Sequence, residues 1–185
     1  MKLIDKDQLL DTLEDRVNTH LDAAVRVYQN MHSDLLLKPA ADGGWSIAQC
    51  LEHLNRYGNY YIPLIRRGLG RQDRCVQGGS FKSSFIGGYF TRLMDPDTGK
   101  KKIKAFKDYK PDRDLDAHAV VAEFIRQQEV LLICLQWARK ADLNKPRIPV
   151  SIMKWLKLRL GDVLQFVIAH DERHMRQAQR NCPLD

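Results

Sequence analysis

The chain has 185 residues, a length that hides roughly 70% of the unfolded surface and builds a core without staples. Its hydrophobic fraction of 44% and charged fraction of 29% exclude a disordered, collagen-like or disulfide-scaffold protein. Lys and Arg outnumber Asp and Glu by 30 to 23, and the net charge of +7 permits attraction to acidic small molecules or nucleic acid. The expectation is a single domain over residues 1–185.

Cys50, Cys75, Cys134 and Cys182 stand singly, without a CxxC pair. Residues 1–11 carry Asp5, Lys6 and Asp7 where a signal peptide would be apolar. The charge-free apolar stretch from Val130 to Ala138 is too short to span a bilayer. These features predict a cytoplasmic chain with free thiols and no membrane partner.

Four stretches carry helical periodicity. The first runs from about Leu3 to His32, with Leu10, Leu13, Val17, Leu21, Ala24 and Val27 on one face. Pro39, Gly43 and Gly44 break it. The second opens at Ser46, whose partner Gln49 three residues on makes a capping box, with Trp45 placed to pack back on the first turn. Its stripe is Ile47, Leu51, Leu54, Gly58, Tyr61 and Ile65, and Pro63 predicts a kink near its end. Residues 70–111 are rich in turn chemistry, with only a short helix signalled around Phe85 to Leu93. The third helix is predicted over Asp114 to Lys140. Pro146 and Pro149 mark the next break, and the last helix is predicted over Ser151 to Arg180, with no alternating β pattern of useful length. Four such stripes are buried by an all-α, antiparallel four-helix bundle with a long connection between its second and third helices.

The basic excess is thickest in Lys100, Lys101, Lys102, Lys104, Lys107 and Lys110. No aromatic-basic RNA signature or helix-turn-helix accompanies it, so the run reads as a solvated loop and nucleic acid is not an expected partner.

The informative segment is His170-Asp171-Glu172-Arg173-His174. At 100° per residue the two histidines lie within about 40° of each other. With His170 as origin, Val163 falls at about 20°, Leu156 at about 40°, Val167 at about 60° and Leu160 at about 80°. Both imidazoles therefore sit in the inward apolar stripe, where burial is costly unless each ring nitrogen finds a partner. A divalent metal held by i, i+4 histidines resolves that cost. Two satisfied core histidines are the bland alternative, and six histidines in the chain make an accidental pair easy. A third ligand must come from another helix. His53 is the best placed, at the edge of its helix's apolar stripe near Cys50 and Tyr57, and His20 on the first helix is its rival. Cys50, one turn before His53, reads more simply as a buried thiol. His32 and His118 fall near helix ends, exposed or capping. HExxH, a nucleophile elbow, a phosphate-cradling glycine loop and a dinucleotide fingerprint are all absent.

Trp45-Ser46-Ile47-Ala48-Gln49-Cys50-Leu51-Glu52-His53-Leu54 resembles the second-helix signature of the DinB/YfiT-like superfamily. His170-Asp171-Glu172-Arg173-His174-Met175-Arg176-Gln177 resembles its last-helix signature, two histidines four apart followed by a Gln. The lysine-rich stretch with Phe106 and Pro111 is similar to the segment before that family's third helix, so the resemblance covers nearly the whole chain. It implies a four-helix bundle, often a homodimer, with a divalent metal ion, zinc or nickel, held by His53, His170 and His174. It also favours His53 over His20, which spacing leaves open. Relatives include thiol-dependent S-transferases or isomerases that work with a low-molecular-weight thiol, others called metal-dependent hydrolases, and many without a demonstrated activity.

Three histidines leave a metal position open, as in catalytic rather than structural sites. Water there would be acidified as a nucleophile, or a thiol would be deprotonated to attack an electrophile. The sequence thus reads as a metal-dependent hydrolase or thiol S-transferase acting on a small molecule, with a non-catalytic metal- or ligand-binding dimer as the alternative. No general base stands out. Glu52 and Asp171 are each offset about 100° from the neighbouring histidine and read as surface or supporting carboxylates. Gln128, polar on the third helix's apolar face, either orients a ligand or is satisfied by a backbone group.

Overall fold

The computed structural model describes residues 3–72, 78–99 and 104–182. Four long helices make the bundle: α1 (Lys6–Arg26), α3 (Ile47–Gly70), α5 (Ala117–Ala138) and α6 (Leu160–Gln179). Around the bundle they follow the order α1, α5, α3, α6, so α1 faces α3 and α5 faces α6 across the core, while α3 and α5 are neighbours. Side-chain contacts give their directions. Lys6 Nζ at the start of α1 donates to the Arg139 carbonyl just beyond the end of α5, so these two run oppositely. Asn55 Nδ2 donates to the Val120 carbonyl, and further along Gln127 Nε2 donates to Asn59 Oδ1, so α3 and α5 run the same way. His53 against His170 and Trp45 against His174 set α3 antiparallel to α6. The parallel neighbours α3 and α5 require the long crossover between them.

Local chemistry sets the helix starts. The Ser46–Gln49 capping box is present in both directions, Gln49 N donating to Ser46 Oγ and Ser46 N to Gln49 Oε1, each at 3.1 Å. Such a cap is worth about 1 kcal/mol. α3 is continuous through Pro63, which is exposed. Asp116 caps α5, accepting from Ala119 N at 3.0 Å.

Three sequence expectations change. The first helix ends at Arg26, because Asn30 Nδ2 donates to the Val25 and Arg26 carbonyls and turns the chain into a short 3-10 turn at Tyr28–Asn30. A five-residue helix α2 (Ser33–Leu37) follows, capped by the exposed His32. The last helix begins at Leu160, not Ser151. Residues before it form an antiparallel hairpin of β3 (Arg147–Val150) and β4 (Met153–Arg159), with Ile148 opposite Leu158. The alternation in Leu156-Lys157-Leu158-Arg159 is a strand period, and Pro149 and Val150 resist helix on the facing side. Leu156 therefore does not belong to the helical stripe, whereas Leu160, Val163 and Val167 do and are buried. A second small pairing joins β1 (Ile4–Asp5) to β2 (Ser80–Phe81).

The crossover is partly ordered by the bundle. The helix α4 (Phe85–Met94) is held at its start by the buried Asp162, which accepts from the Ser84 hydroxyl at 2.7 Å. A Cβ at Gly87 would lie 2.1 Å from the Asp162 carboxyl carbon, so only glycine permits this docking. Arg173 donates to the carbonyls of Leu93 and Gly99, tying the end of α4 to α6. Lys100, Lys101 and Lys102 lie outside the described residues, as does Cys75.

The apolar core is two clusters stacked along the bundle. One is built around Leu10, Ile65, Leu135 and Leu164, the other around Tyr28, Leu51, Phe124 and Met175. At the seam each long helix buries a polar side chain: His20 from α1, His53 from α3, Gln128 from α5, and His170 with Asp171 from α6.

Candidate metal centre

The seam places its polar groups in two sets, on two faces of α6. His53, His170 and His174 form the first. One ring nitrogen from each lies within 4.8 Å of the others, and the two Nε2 atoms of His53 and His170 are 3.2 Å apart. His53 and His170 are buried and His174 half-buried.

The hydrogen bonds fix the tautomers. His53 Nδ1 sits 2.6 Å from the Tyr109 carbonyl, and His174 Nδ1 sits 3.0 Å from Gln177 Oε1. Both oxygens only accept, so both Nδ1 atoms carry the proton and both Nε2 atoms present a lone pair. Burial drives the His53 pKa down to about 4, against the pull of the Tyr109 carbonyl, and nearby Arg56 lowers it further. Burial and the adjacent His53 bring His174 to about 3, although Gln177 opposes the fall. His170 is held well below its ordinary value by burial and by the two other imidazoles. Two of the three neutral rings thus aim an Nε2 lone pair into the cluster, with at most the single His170 ring proton to satisfy them, an arrangement costly in a dry interior.

A divalent cation is the group this donor set fits. Bonds of about 2.0–2.1 Å at a tetrahedral angle hold two imidazole nitrogens about 3.4 Å apart, near the spacing found here. Outward Nδ1–H groups donating to a carbonyl and an amide are the usual support for metal-ligating histidines.

Aromatic rings wall the set. Trp45 lies 4.8 Å from the His53 ring and 5.7 Å from that of His174, and Tyr57 lies 4.6 Å from His170. Tyr57 also stacks on Tyr109 at 4.1 Å, which holds the accepting carbonyl in place. A cavity of about 860 Å³ opens over the histidines, lined among others by Tyr61, Phe90, Phe166, Lys110 and Arg180. Asp42 is the one carboxylate among its described lining residues, and it is engaged by the Gly44 N–H at 3.0 Å.

The second set explains the remaining sequence candidates. His20 Nε2 donates to Glu172 Oε2 at 2.7 Å, on the α1 side of α6, so His20 takes no part in the triad. Gln128 Nε2 donates to Asp171 Oδ2 at 3.2 Å, and burial raises that carboxyl to about 6. Gln128 Nε2 is therefore engaged by a side chain rather than by the backbone, while its buried Oε1 has no partner among the described residues. Glu52 pairs with Arg56 at 2.8 Å. Cys50 is fully buried with its thiol pushed up to about 12 by burial, and it is not in the cluster. Cys50, Cys134 and Cys182 are free thiols. His118 is exposed. Tyr109 and the cavity-lining Phe90 and Ile152 carry no local sequence signal, because the crossover and the hairpin deliver them.

A profile of the DinB superfamily matches residues 9–178. The chain belongs to the DinB superfamily. Its fold is similar to that of a solved structure at a TM-score of 0.54 with 17% identity, over 95% of this chain and 85% of the other. That structure is YfiT from Bacillus subtilis, described as a probable metal-dependent hydrolase with an unusual four-helix bundle topology. No curated protein matches the chain. This DinB-superfamily protein has a three-histidine cluster that fits a metal ion, and among its described residues no helix is long and apolar enough to cross a membrane.

Proposed function

We propose that this protein is a divalent-metal-dependent enzyme whose ion is held by His53, His170 and His174 and whose small-molecule substrate enters the cavity above them. One observation carries the reading: three clustered neutral imidazoles, two of them oriented with Nε2 lone pairs toward the cluster, in the wall of a large cavity. A divalent ion there supplies Lewis acidity, lowering the pKa of a water or thiol that enters its open position.

The protein's own groups do the rest. Tyr109 and Gln177 keep the imidazoles in one tautomer and one orientation. Trp45 and Tyr57 shield the rings from water. The Tyr57 hydroxyl is held above its ordinary range by burial, so it stays protonated and can donate to a group in the cavity. Asp42, which accepts one backbone N–H, is the one described carboxylate in the cavity. That scarcity supports transfer from a low-molecular-weight thiol, because a thiol ionises near 8.5 and needs less help than water. Hydrolysis is the second reading, favoured by the likeness to YfiT and its description.

The test is metal content of tag-free protein by mass spectrometry, beside His53→Ala and His170→Ala. About one divalent ion per chain is expected, lost in both variants with far-UV circular dichroism unchanged. An absence of metal after incubation with zinc or nickel overturns the proposal. Ester and electrophile substrates are then assayed with and without added thiol. Turnover that requires the thiol supports transfer, turnover without it supports hydrolysis, and a loaded protein inert to both is a metal-binding bundle without turnover.

A further inference from the structure

The cavity over the triad is polarised along α6. Along α6 the lining runs from Phe166 through His170 and His174 to Gln177 and Arg180, each about one turn beyond the last. Phe166 to Arg180 spans roughly 21 Å of helix. Around Phe166 the wall is apolar: Phe90 and Met94 from α4, Tyr61 from α3, and Val150 and Ile152 from the hairpin. Phe90 meets the Phe166 ring at 6.0 Å and Phe166 stacks on His170 at 6.1 Å, so this wall is continuous with the triad.

The charged lining groups are mostly cationic. Arg180 closes the far end of α6, and Lys104 and Lys110 come from the segment whose Tyr109 carbonyl holds His53. Lys104, Lys110 and Arg180 are exposed and make no ion pair among the described residues. Arg173 also lines the cavity but is committed to the Leu93 and Gly99 carbonyls. Against these four cations stands the one carboxylate of Asp42. A concave site with one sign of charge at its mouth and low-dielectric walls raises the local concentration of the opposite ion. Apolar lining with a few placed polar groups is how small-molecule sites fix orientation. The lysine-rich segment, which reads as a plain solvated loop from sequence, thus contributes two of the charges at the cavity.

We infer that the site takes an amphipathic organic anion, with its carboxylate or phosphate at Lys104, Lys110 and Arg180, its apolar arm against Phe90 and Phe166, and its middle over the histidines. This rests on the reading of the cavity as the substrate site and adds to it the substrate's chemical class. The triad itself recognises neither a charge nor an apolar chain. The rim and wall supply both, and they do so whether or not an ion is bound.

The test therefore begins with full-length protein stripped by chelator and is repeated after zinc loading. Phenyloctanoate, phenyloctyl phosphate and the neutral phenyloctanol are titrated by calorimetry below their aggregation limits, with acetate as the head group alone. At least one of the two anions is expected to bind about tenfold more tightly than the alcohol in both forms. Their ranking tells carboxylate from phosphate. Acetate is expected to bind far more weakly than phenyloctanoate. Lys110→Gln with Arg180→Gln is expected to abolish the preference over alcohol, and Phe90→Ala to weaken anion and alcohol alike. The positions carrying these changes are exposed or half-buried, and far-UV circular dichroism checks the fold. Equal binding of acid and alcohol overturns the inference. So does a preference seen only with zinc and surviving the double variant, because the ion rather than the rim would then read the charge. Failure to load zinc sinks the metal centre instead, and leaves the result on stripped protein to stand by itself.

Discussion

Two faces of α6 pack against buried imidazoles, and they partner them differently. On the face toward α1, His20 is matched to Glu172, which His20 and Arg176 together hold down to about 2. On the face toward α3, His53, His170 and His174 meet one another with no carboxylate among them. The outer nitrogens of His53 and His174 are tied to neutral oxygens, and burial keeps all three rings uncharged. The carboxylate satisfies one ring nitrogen of His20 and leaves its buried Nδ1 without a partner. The three clustered histidines have one another instead of a carboxylate, which is the donor set a divalent cation fits. The contrast between the two faces lies in the partner, not in the burial.

The largest way to break that contrast is to remove a triad ring. His170→Ala is expected to weaken zinc binding by more than the ~10–100-fold typical of a change in a supporting residue, measured by competition with a chromogenic chelator. His20→Ala, equally buried, is expected to leave zinc stoichiometry and affinity unchanged. If His20→Ala loses the metal as well, the two faces are one site and the contrast fails.

Glu172→Gln reverses the test. It removes the charge that completes His20 and is expected to cost about 2 kcal/mol of folding stability in urea, with metal retained. Gln177→Ala sharpens the other face. With the His174 Nδ1–H left to solvent, zinc affinity is expected to fall about tenfold while the unfolding midpoint of the metal-free protein hardly moves.

The smallest effect concerns Cys50, one turn from His53 on α3. Its thiol is pushed up to about 12 by burial, so the folded protein keeps that proton while the unfolded chain releases it above about pH 9. The unfolded state then binds fewer protons, and stability falls with rising pH by about 1.4 kcal/mol per unit from this group. Cys50→Ala is expected to lose that slope between pH 9 and 10 relative to the parent and to bind zinc normally. Loss of zinc in this variant would bring the thiol into the ligand set.

Much of the site is legible in the chain because its features are local. The i, i+4 spacing of His170 and His174 sets them one above the other on a helix whatever surrounds it. The Ser46–Gln49 box starts α3 in a register that puts His53 seven residues along. The seam also leaves a trace, as single polar residues interrupting apolar stripes on all four long helices. Less legible are the pieces whose conformation depends on neighbours. The β4 strand was hidden because Met153 to Arg159 leads straight into a helix and shares residues with either period. The short α2 has too few residues to show a period at all.

By itself the sequence determined four amphipathic helices, the Ser46–Gln49 cap of one of them, and a histidine pair that could not be comfortable alone in a core. The tertiary structure decided which third histidine joins that pair. Spacing placed both His20 and His53 toward the interior, and only the order of helices around the bundle sets α3 against one face of α6 and α1 against another. It also decided that Lys104 and Lys110 line a cavity with Phe90 and Phe166, residues that come from the crossover, α4 and α6. Periodicity is a property of one helix, and a ligand set or a cavity wall is a property of several. The physical reason is that pairing of lone pairs and burial of apolar faces are settled only when the helices pack.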